Sequence, residues 1–405
     1  MWRTTLVASS FFWLSLVLLV SGEPMTEFKL EARPEGITSG PGSTLYVSQI
    51  LSGSVLAIDA DTGEQTTAVP PQPDGRQAWG LAYHDDMILV AGGGPNFGGG
   101  IPEVYVYDAT TGDPIVTCEP ISLNETDHGA FLNDIAVLGD VAYITDSFAN
   151  TIMALNLTLV KQQGNCTVWE LYLPDPFIPQ NPSDWGANGI VAYEFDNGVS
   201  GLLVAHEILG SVYSVQRIED DGTPPHYQEI IGEPSSDIPP ALGADGLLMV
   251  DGTLLYVTQN TENQIGVYNL SAQATDGVLS TTPLGVLTSP LFDTPAVSAA
   301  YDGYIFSTNS RFVALPEISE EADDNVVGVK NLYCCGNTAV DETITDAPAP
   351  AATTEAPNDG GGGGTDATAA PSGADTTSGA IGSMQQLQVM SLLGSFFGLL
   401  LALLF

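Results

Sequence analysis

The sequence predicts an all-β fold: a six-bladed β-propeller, followed by a disordered stalk and a C-terminal hydrophobic anchor signal. Two observations carry this. A pair of alternating apolar strands joined by a polar turn recurs along the chain, and a short extra strand precedes each pair. Alternating strands around a Gly/Asn/Ser turn read as hairpins. A four-strand unit repeating at about fifty residues reads as propeller blades.

The copies follow in order. The first pairs residues 45–49 with 53–59, the second 88–92 with 103–108, and the third 142–146 with 150–156. The fourth pairs 202–206 with 210–215 and the fifth 255–259 with 263–269; a degenerate sixth pairs 304–308 with 311–315. The preceding strands open at Glu35, Trp79, Asn133, Asn188, Asp245 and near Ala296, at intervals of 44, 54, 55, 57 and 51 residues. A fourth, outer strand fits each interval, for example residues 165–172. Residues 28–32 and 326–332 are the candidates for closing the circle between the two ends. A β-sandwich would not repeat a four-strand unit.

The ends have their own signatures. Residues 1–22 combine one Arg, an uncharged apolar run and small residues before Glu23, which reads as a secretory signal peptide. The body is expected over 23–336. Residues 337–383 are rich in Thr, Ala, Pro, Gly and Asp, which cannot bury apolar surface and stay extended as a stalk. Residues 384–405 add a polar spacer and an apolar tail with no basic residue after it. That arrangement reads as a glycosylphosphatidylinositol anchor signal, with a single membrane helix as the alternative. The expected location is the extracellular face of the plasma membrane, with membrane contact through this C-terminus only.

Eight Lys and Arg stand against forty-nine Asp and Glu, a net charge of −41. Such a field excludes nucleic acid as a partner and favours cations. Export is compatible with disulfides among Cys118, Cys166, Cys334 and Cys335. Cys118 and Cys166 end successive repeats and can pair, but spacing alone leaves three connectivities open. Four sequons, at Asn124, Asn156, Asn165 and Asn269, are candidate glycosylation sites.

The chemistry is read from the first residues of the innermost strands. In a propeller these strands line the axial channel, so Glu35, Trp79, Asn133, Asn188, Asp245 and Ala296 form one ring. Four of the six carry oxygen donors, two carboxylates and two carboxamides, the mixture that Ca2+ accepts. Taken singly, Asn-Gly, Asn-Asp and Asp-Gly are ordinary turn dipeptides; their equivalent placement in several repeats is what carries the reading. Trp79 and His206 are candidate pocket residues.

These segments, Pro34-Glu35-Gly36-Ile37, Asn133-Asp134-Ile135-Ala136-Val137, Ala187-Asn188-Gly189-Ile190 and Ala244-Asp245-Gly246, resemble the metal-ligand motifs of the SMP-30/gluconolactonase/LRE-like family, which includes diisopropyl-fluorophosphatase-type enzymes. The resemblance covers about residues 28–332. It implies one Ca2+ or another divalent cation held by Glu35, Asn133, Asn188 and Asp245, and metal-assisted hydrolysis of a small molecule with Asp245 as base or nucleophile. The basic residue that holds sugar acids in some members has no evident counterpart. The implied substrate is therefore a neutral ester, lactone or phosphotriester.

Other chemistries fail on motif. There is no Gly-X-Ser-X-Gly elbow, His206-Glu207 lacks the second His of a zincin, and the glycine loop 92–100 lacks the Lys of a phosphate cradle. A non-catalytic propeller displayed for adhesion, recognition or sensing is the competing reading.

Overall fold

The computed structural model describes residues 26–94, 101–120, 130–174, 177, 185–216, 218, 225–232, 238, 240–272, 278–311 and 324–334. They form six four-stranded antiparallel sheets, arranged as a six-bladed β-propeller. The strand β1 (Glu27–Lys29) comes first and joins the last blade. Blade 1 is β2 (Pro34–Ser39), β3 (Thr44–Gln49), β4 (Ser54–Asp59) and β5 (Gln65–Val69). Blade 2 is β6 (Gln77–His84), β7 (Met87–Gly93), β8 (Pro102–Asp108) and β9 (Pro114–Cys118). Blade 3 is β10 (Leu132–Leu138), β11 (Val141–Asp146), β12 (Thr151–Asn156) and, after the helix α1 (Leu157–Gln163), β13 (Val168–Tyr172). Blade 4 is β14 (Ala187–Glu194), β15 (Ser200–His206), β16 (Ser211–Gln216) and β17 (His226–Ile231). Blade 5 is β18 (Ala244–Val250), β19 (Leu254–Gln259), β20 (Gln264–Ala272) and β21 (Leu279–Thr288). Blade 6 is β22 (Pro295–Tyr301), β23 (Tyr304–Asn309) and β24 (Asn325–Lys330), with β1 as its outer strand.

The first strands touch in a closed circle, β2 to β6 to β10 to β14 to β18 to β22 and back to β2. Six apolar wedges fill the spaces between neighbouring blades. Strand periodicity explains this directly. Leu45 and Val47 enter the wedge toward blade 6, whereas Tyr46 between them enters the wedge toward blade 2. Likewise Ile88 and Val90 face blade 1 while Leu89 and Ala91 face blade 3. Both faces of each blade are buried, so the middle strands read as continuous apolar runs rather than strict alternation.

Closure sits where the sequence placed it, with Phe28 opposite Val326 and stacked 5.7 Å from Phe306. The division of labour differs from expectation. Residues 326–332 were a candidate closing segment, but β24 is the third strand of blade 6, and β1 alone completes the sheet. The expected hairpin partner 311–315 is also corrected, because β23 pairs with β24. The sixth connection is longer than the other five, so the nearest apolar run is not the partner; residues 312–323 lie outside those described. Helix α1 was not foreseen either. Asn156 caps it, accepting from Leu159 N at 3.0 Å, and Gly164 ends it in the left-handed region at φ 58°.

Cys118 and Cys166 form a disulfide between blades 2 and 3, settling one of the connectivities left open. Cys335, the termini, the stalk and the anchor segment lie outside the described residues. Among the described residues no helix is long and apolar enough to cross a membrane.

Two substitutions test this architecture. The bridge closes a separation of 48 residues, so the double change Cys118→Ser/Cys166→Ser is expected to lower unfolding free energy by about 2–4 kcal/mol, read by denaturant titration. At Gly189 a β-carbon would lie 2.0 Å from the Asp245 carbonyl oxygen. Gly189→Ala should therefore destabilise by about 1–3 kcal/mol or more, while Gly80→Ala, 2.3 Å from Asn133 O, behaves alike.

Candidate metal centre

The same irregularity occurs at one end of every innermost strand. Register shifts fall between Pro34 and Ile37, Ala78 and Leu81, and Leu132 and Ile135. They recur between Ala187 and Ile190, Ala244 and Leu247, and Pro295 and Ser298. Each inner strand spends one residue more than its partner, a β-bulge, which re-aims the side chain it contains. The first bulged residues are Glu35, Trp79, Asn133, Asn188, Asp245 and Ala296, so the six positions read from the repeat are structurally equivalent. Glu35, Asn133, Asn188 and Asp245 are each only 2–4 % exposed.

Hydroxyls on the second strands lock the bulges in place. Ser48 Oγ accepts from Gly36 N and donates to Trp79 O of the next blade. Thr145 Oγ1 accepts from Asp134 N and donates to Asn188 O at 2.6 Å. Thr308 Oγ1 accepts from Val297 N and donates to Glu35 O, across the closure. One hydroxyl thus fixes its own bulge and the neighbour's ring residue.

A polar network occupies the ring. Asn188 Nδ2 donates to Glu207 Oε2 at 2.9 Å. Asn260 Nδ2 donates to Glu207 Oε1 at 3.3 Å and to Asp245 Oδ2 at 3.2 Å. Asn133 Nδ2 donates to Ser147 Oγ, which in turn donates to Ala187 O. Three buried oxygens, Glu35 Oε2, Asn188 Oδ1 and Asn260 Oδ1, have no hydrogen-bond partner. A buried acceptor left in this condition is destabilising by about 1–3 kcal/mol.

The electrostatics point the same way. Burial pushes the Glu35 carboxyl well up, and the charges of Asp134 and Glu207 push it further. Burial likewise raises Asp245, with Glu207, Glu35 and Asp134 adding to the effect and the hydrogen bond from Asn260 opposing it. Blades 1, 3, 4 and 5 supply these four acids, and blade 1 adjoins neither 3, 4 nor 5. The charges of Asp134 and Glu207 thus act on Glu35 across the axial channel. Glu207 is raised by burial against the bonds from Asn260 and Asn188.

This donor set fits a hard divalent cation. Glu35 and Asp245 bring negative charge, and the Asn188 oxygen is buried and unpartnered, which is the condition a metal ion would relieve. Among the described residues no group of three or more His, Cys, Asp or Glu could hold a metal ion; a site here would rest on the carboxamides of Asn133 and Asn188 together with Glu35 and Asp245.

The other predicted residues distribute as follows. Trp79 is buried and packs edge-on against Phe131 at 4.9 Å, in an aromatic cluster with Phe148 and Trp185. The His206 ring lies 5.2 Å from Phe177, and its Nδ1 accepts from Leu209 N. The next residue, Glu207, is the one whose side chain reaches the ring. Of the sequons, Asn165 and Asn269 are exposed, Asn156 caps α1, and Asn124 lies outside the described residues.

Sequence reasoning missed Glu207, Asn260 and Asp134 beside the ring. Asp134 stands where blades 1, 2, 4 and 5 have Gly36, Gly80, Gly189 and Gly246. Its Oδ1 accepts from Ile135 N and its Oδ2 from Ile190 N of the next blade. Glu207 and Asn260 directly follow the second strands of blades 4 and 5, at one common register.

No family model matches this chain, and no curated protein matches it. The chain is similar in fold to the major allergen Mala s 1 of Malassezia sympodialis, at TM-score 0.55 and 12% identity over 76% of this chain and 96% of that one. It is also similar to virginiamycin B lyase from Staphylococcus aureus, at TM-score 0.45 and 15% identity over 75% and 98% of the two chains. The aldose sugar dehydrogenase of Streptomyces coelicolor gives TM-score 0.46 and 12% identity over 76% and 96%. At these identities the likeness is one of fold, the six-bladed β-propeller.

A pH test follows from the buried acids. Burial pushes Asp134 up to about 7 and Asp146 up to about 6. Both folded values exceed the ordinary value near 4, so the fold favours the protonated carboxyl. The resulting stability is full below about 4 and lost as pH rises through about 6 and then 7. Asp59, Asp74 and Asp108 are held below their ordinary value by hydrogen bonds, so they finish titrating beneath this window. The melting temperature of chelator-treated protein is expected to fall from about pH 4.5 to 7.5, and added Ca2+ to flatten or reverse the slope. A rising melting temperature in chelator would contradict this account.

Proposed function

We propose that this chain is a metal-dependent hydrolase of a neutral ester, lactone or phosphotriester, working at the mouth of the propeller channel on the extracellular surface. One observation carries the reading. Four oxygen-bearing side chains from four blades occupy one register position, are buried, and include unpartnered oxygens on Glu35 and Asn188. This follows the SMP-30/gluconolactonase resemblance residue by residue. Glu35, Asn133, Asn188 and Asp245 would hold the cation, with Ca2+ the first candidate.

When bound, such an ion supplies Lewis-acid polarisation of a carbonyl or phosphoryl oxygen. The chain's own residues do the rest. Asn260 Nδ2 holds Asp245 Oδ2 and so fixes the plane of that carboxylate. Asp245 is thereby presented as ligand and as base or nucleophile. Ser147 anchors Asn133 and Glu207 anchors Asn188, so neither carboxamide swings. Glu35, Asp134, Glu207 and Asp245 are acids, and none of them would attract an anionic substrate. The aromatic cluster of Trp79, Phe131, Phe148 and Trp185 offers an apolar wall beside the ring instead. Secretion, N-glycans at Asn165 and Asn269, and a C-terminal anchor belong to the same proposal and account for display outside the cell.

Calorimetric Ca2+ titration of the full chain, followed by a panel of lactones, aryl esters and phosphotriesters, tests the reading. Binding with turnover is expected, with Asp245→Asn and Glu35→Gln weakening binding and lowering turnover by roughly 100-fold or more. Binding without turnover on any class would reduce the chain to a metal-stabilised display propeller. Failure to bind would sink the metal centre.

A further inference from the structure

Glu207 and Asn260 lie outside the ligand set that the ring position defines, and both touch it. Glu207 sits between two carboxamides and accepts from each, Asn188 Nδ2 on Oε2 and Asn260 Nδ2 on Oε1. Asp245 Oδ2 is a second acceptor for Asn260 Nδ2. Both carboxamides therefore turn their Nδ2 ends toward these acids. The opposite ends, Asn188 Oδ1 and Asn260 Oδ1, are the two amide oxygens left buried without a partner. Asn260 is 5 % exposed and follows the strand residue paired with Ala244. It therefore stands at the same end of the channel as Asp245.

Resting on the metal-centre reading above, we propose that Asn260 Oδ1 is a fifth side-chain oxygen of that centre, and that Glu207 is the positioning residue that turns both Asn188 and Asn260 toward the ion. Ligand-orienting acids beside a metal site act in this way. With the cation bound, Glu207 preorganises two donors.

The test uses the full chain with Tb3+ as a luminescent substitute for Ca2+, counting ion-bound waters from lifetimes in H2O and D2O. Asn260→Ala should add about one water, because solvent fills a vacated ligand position, and Asn260→Asp should keep the wild-type count. Glu207→Gln should raise the Kd for Ca2+ roughly 10–100-fold. In the double variant Glu207→Gln/Asn260→Ala, the loss of affinity should be smaller than the sum of the single losses. An unchanged water count in Asn260→Ala, or additive losses in the double variant, overturns the inference. Should Glu207→Gln fail to fold, the two Asn260 variants decide by water count. A wild-type chain that binds neither ion overturns the metal centre itself; wild-type binding that every variant shares overturns only this inference.

Discussion

Everything in this molecule depends on how closely the six innermost strands approach around the axis. At Gly36, Gly80, Gly189 and Gly246 a β-carbon would fall 2.0 to 2.7 Å from the backbone of the next blade. No side chain fits there, so glycine is required by contact rather than by backbone dihedral. The bulge delivers the ring residue just before each of these glycines, and a second-strand hydroxyl in three blades ties that residue's carbonyl to the preceding blade. The same geometry that closes the circle therefore sets six side chains at one level. A ring of side chains is a by-product of closure; the sequence chooses what it carries.

Where the circle is tightest, exceptions are informative. Blade 3 has Asp134 in place of the glycine, and its carboxylate spans from Ile135 N to Ile190 N, joining blades 3 and 4 through hydrogen bonds. Blade 6 has Val297 there and Ala296 at the ring, both buried in the wedge toward blade 1. That blade contributes apolar packing to the axis and no donor, consistent with its weak repeat.

Most of this was readable from residues alone because the repeat supplies its own alignment. Period and hairpin pattern were enough for blade number, strand starts and the ring positions, since each blade buries both faces under the same constraint. Blade 6 was harder: its third strand follows a long connection, and a local pattern favours the nearest apolar run over β24. Helix α1 is one short amphipathic turn pair, with only Leu157 and Val160 buried, too brief for a periodic signal. Glu207 and Asn260 escaped for another reason. They directly follow second strands, where the residues at the same register are Ile50, Gly93, Ser147 and Ser310, and nothing in that mixed column marks two of six as polar partners of a ring on different strands.

The buried acids sort themselves by how completely the protein satisfies them. Asp146 accepts from three backbone amides, those of Phe131, Phe148 and Ala149, and belongs to the loop it closes. Asp134 accepts from two amides on two blades and belongs to the seam between them. Glu207 accepts from two carboxamides, which are themselves only half satisfied. Glu35, at the end of the series, keeps one oxygen with no partner, in a region where the nearby charges acting on it are negative. A fold that recruits backbone amides for Asp134 and Asp146 has the means to satisfy Glu35 and has not used them. Satisfaction declines toward the ring, and the unmet oxygens are those of the residues that a cation would require. The gradient separates acids that hold the propeller together from acids held ready by it, and it does so without reference to any relative.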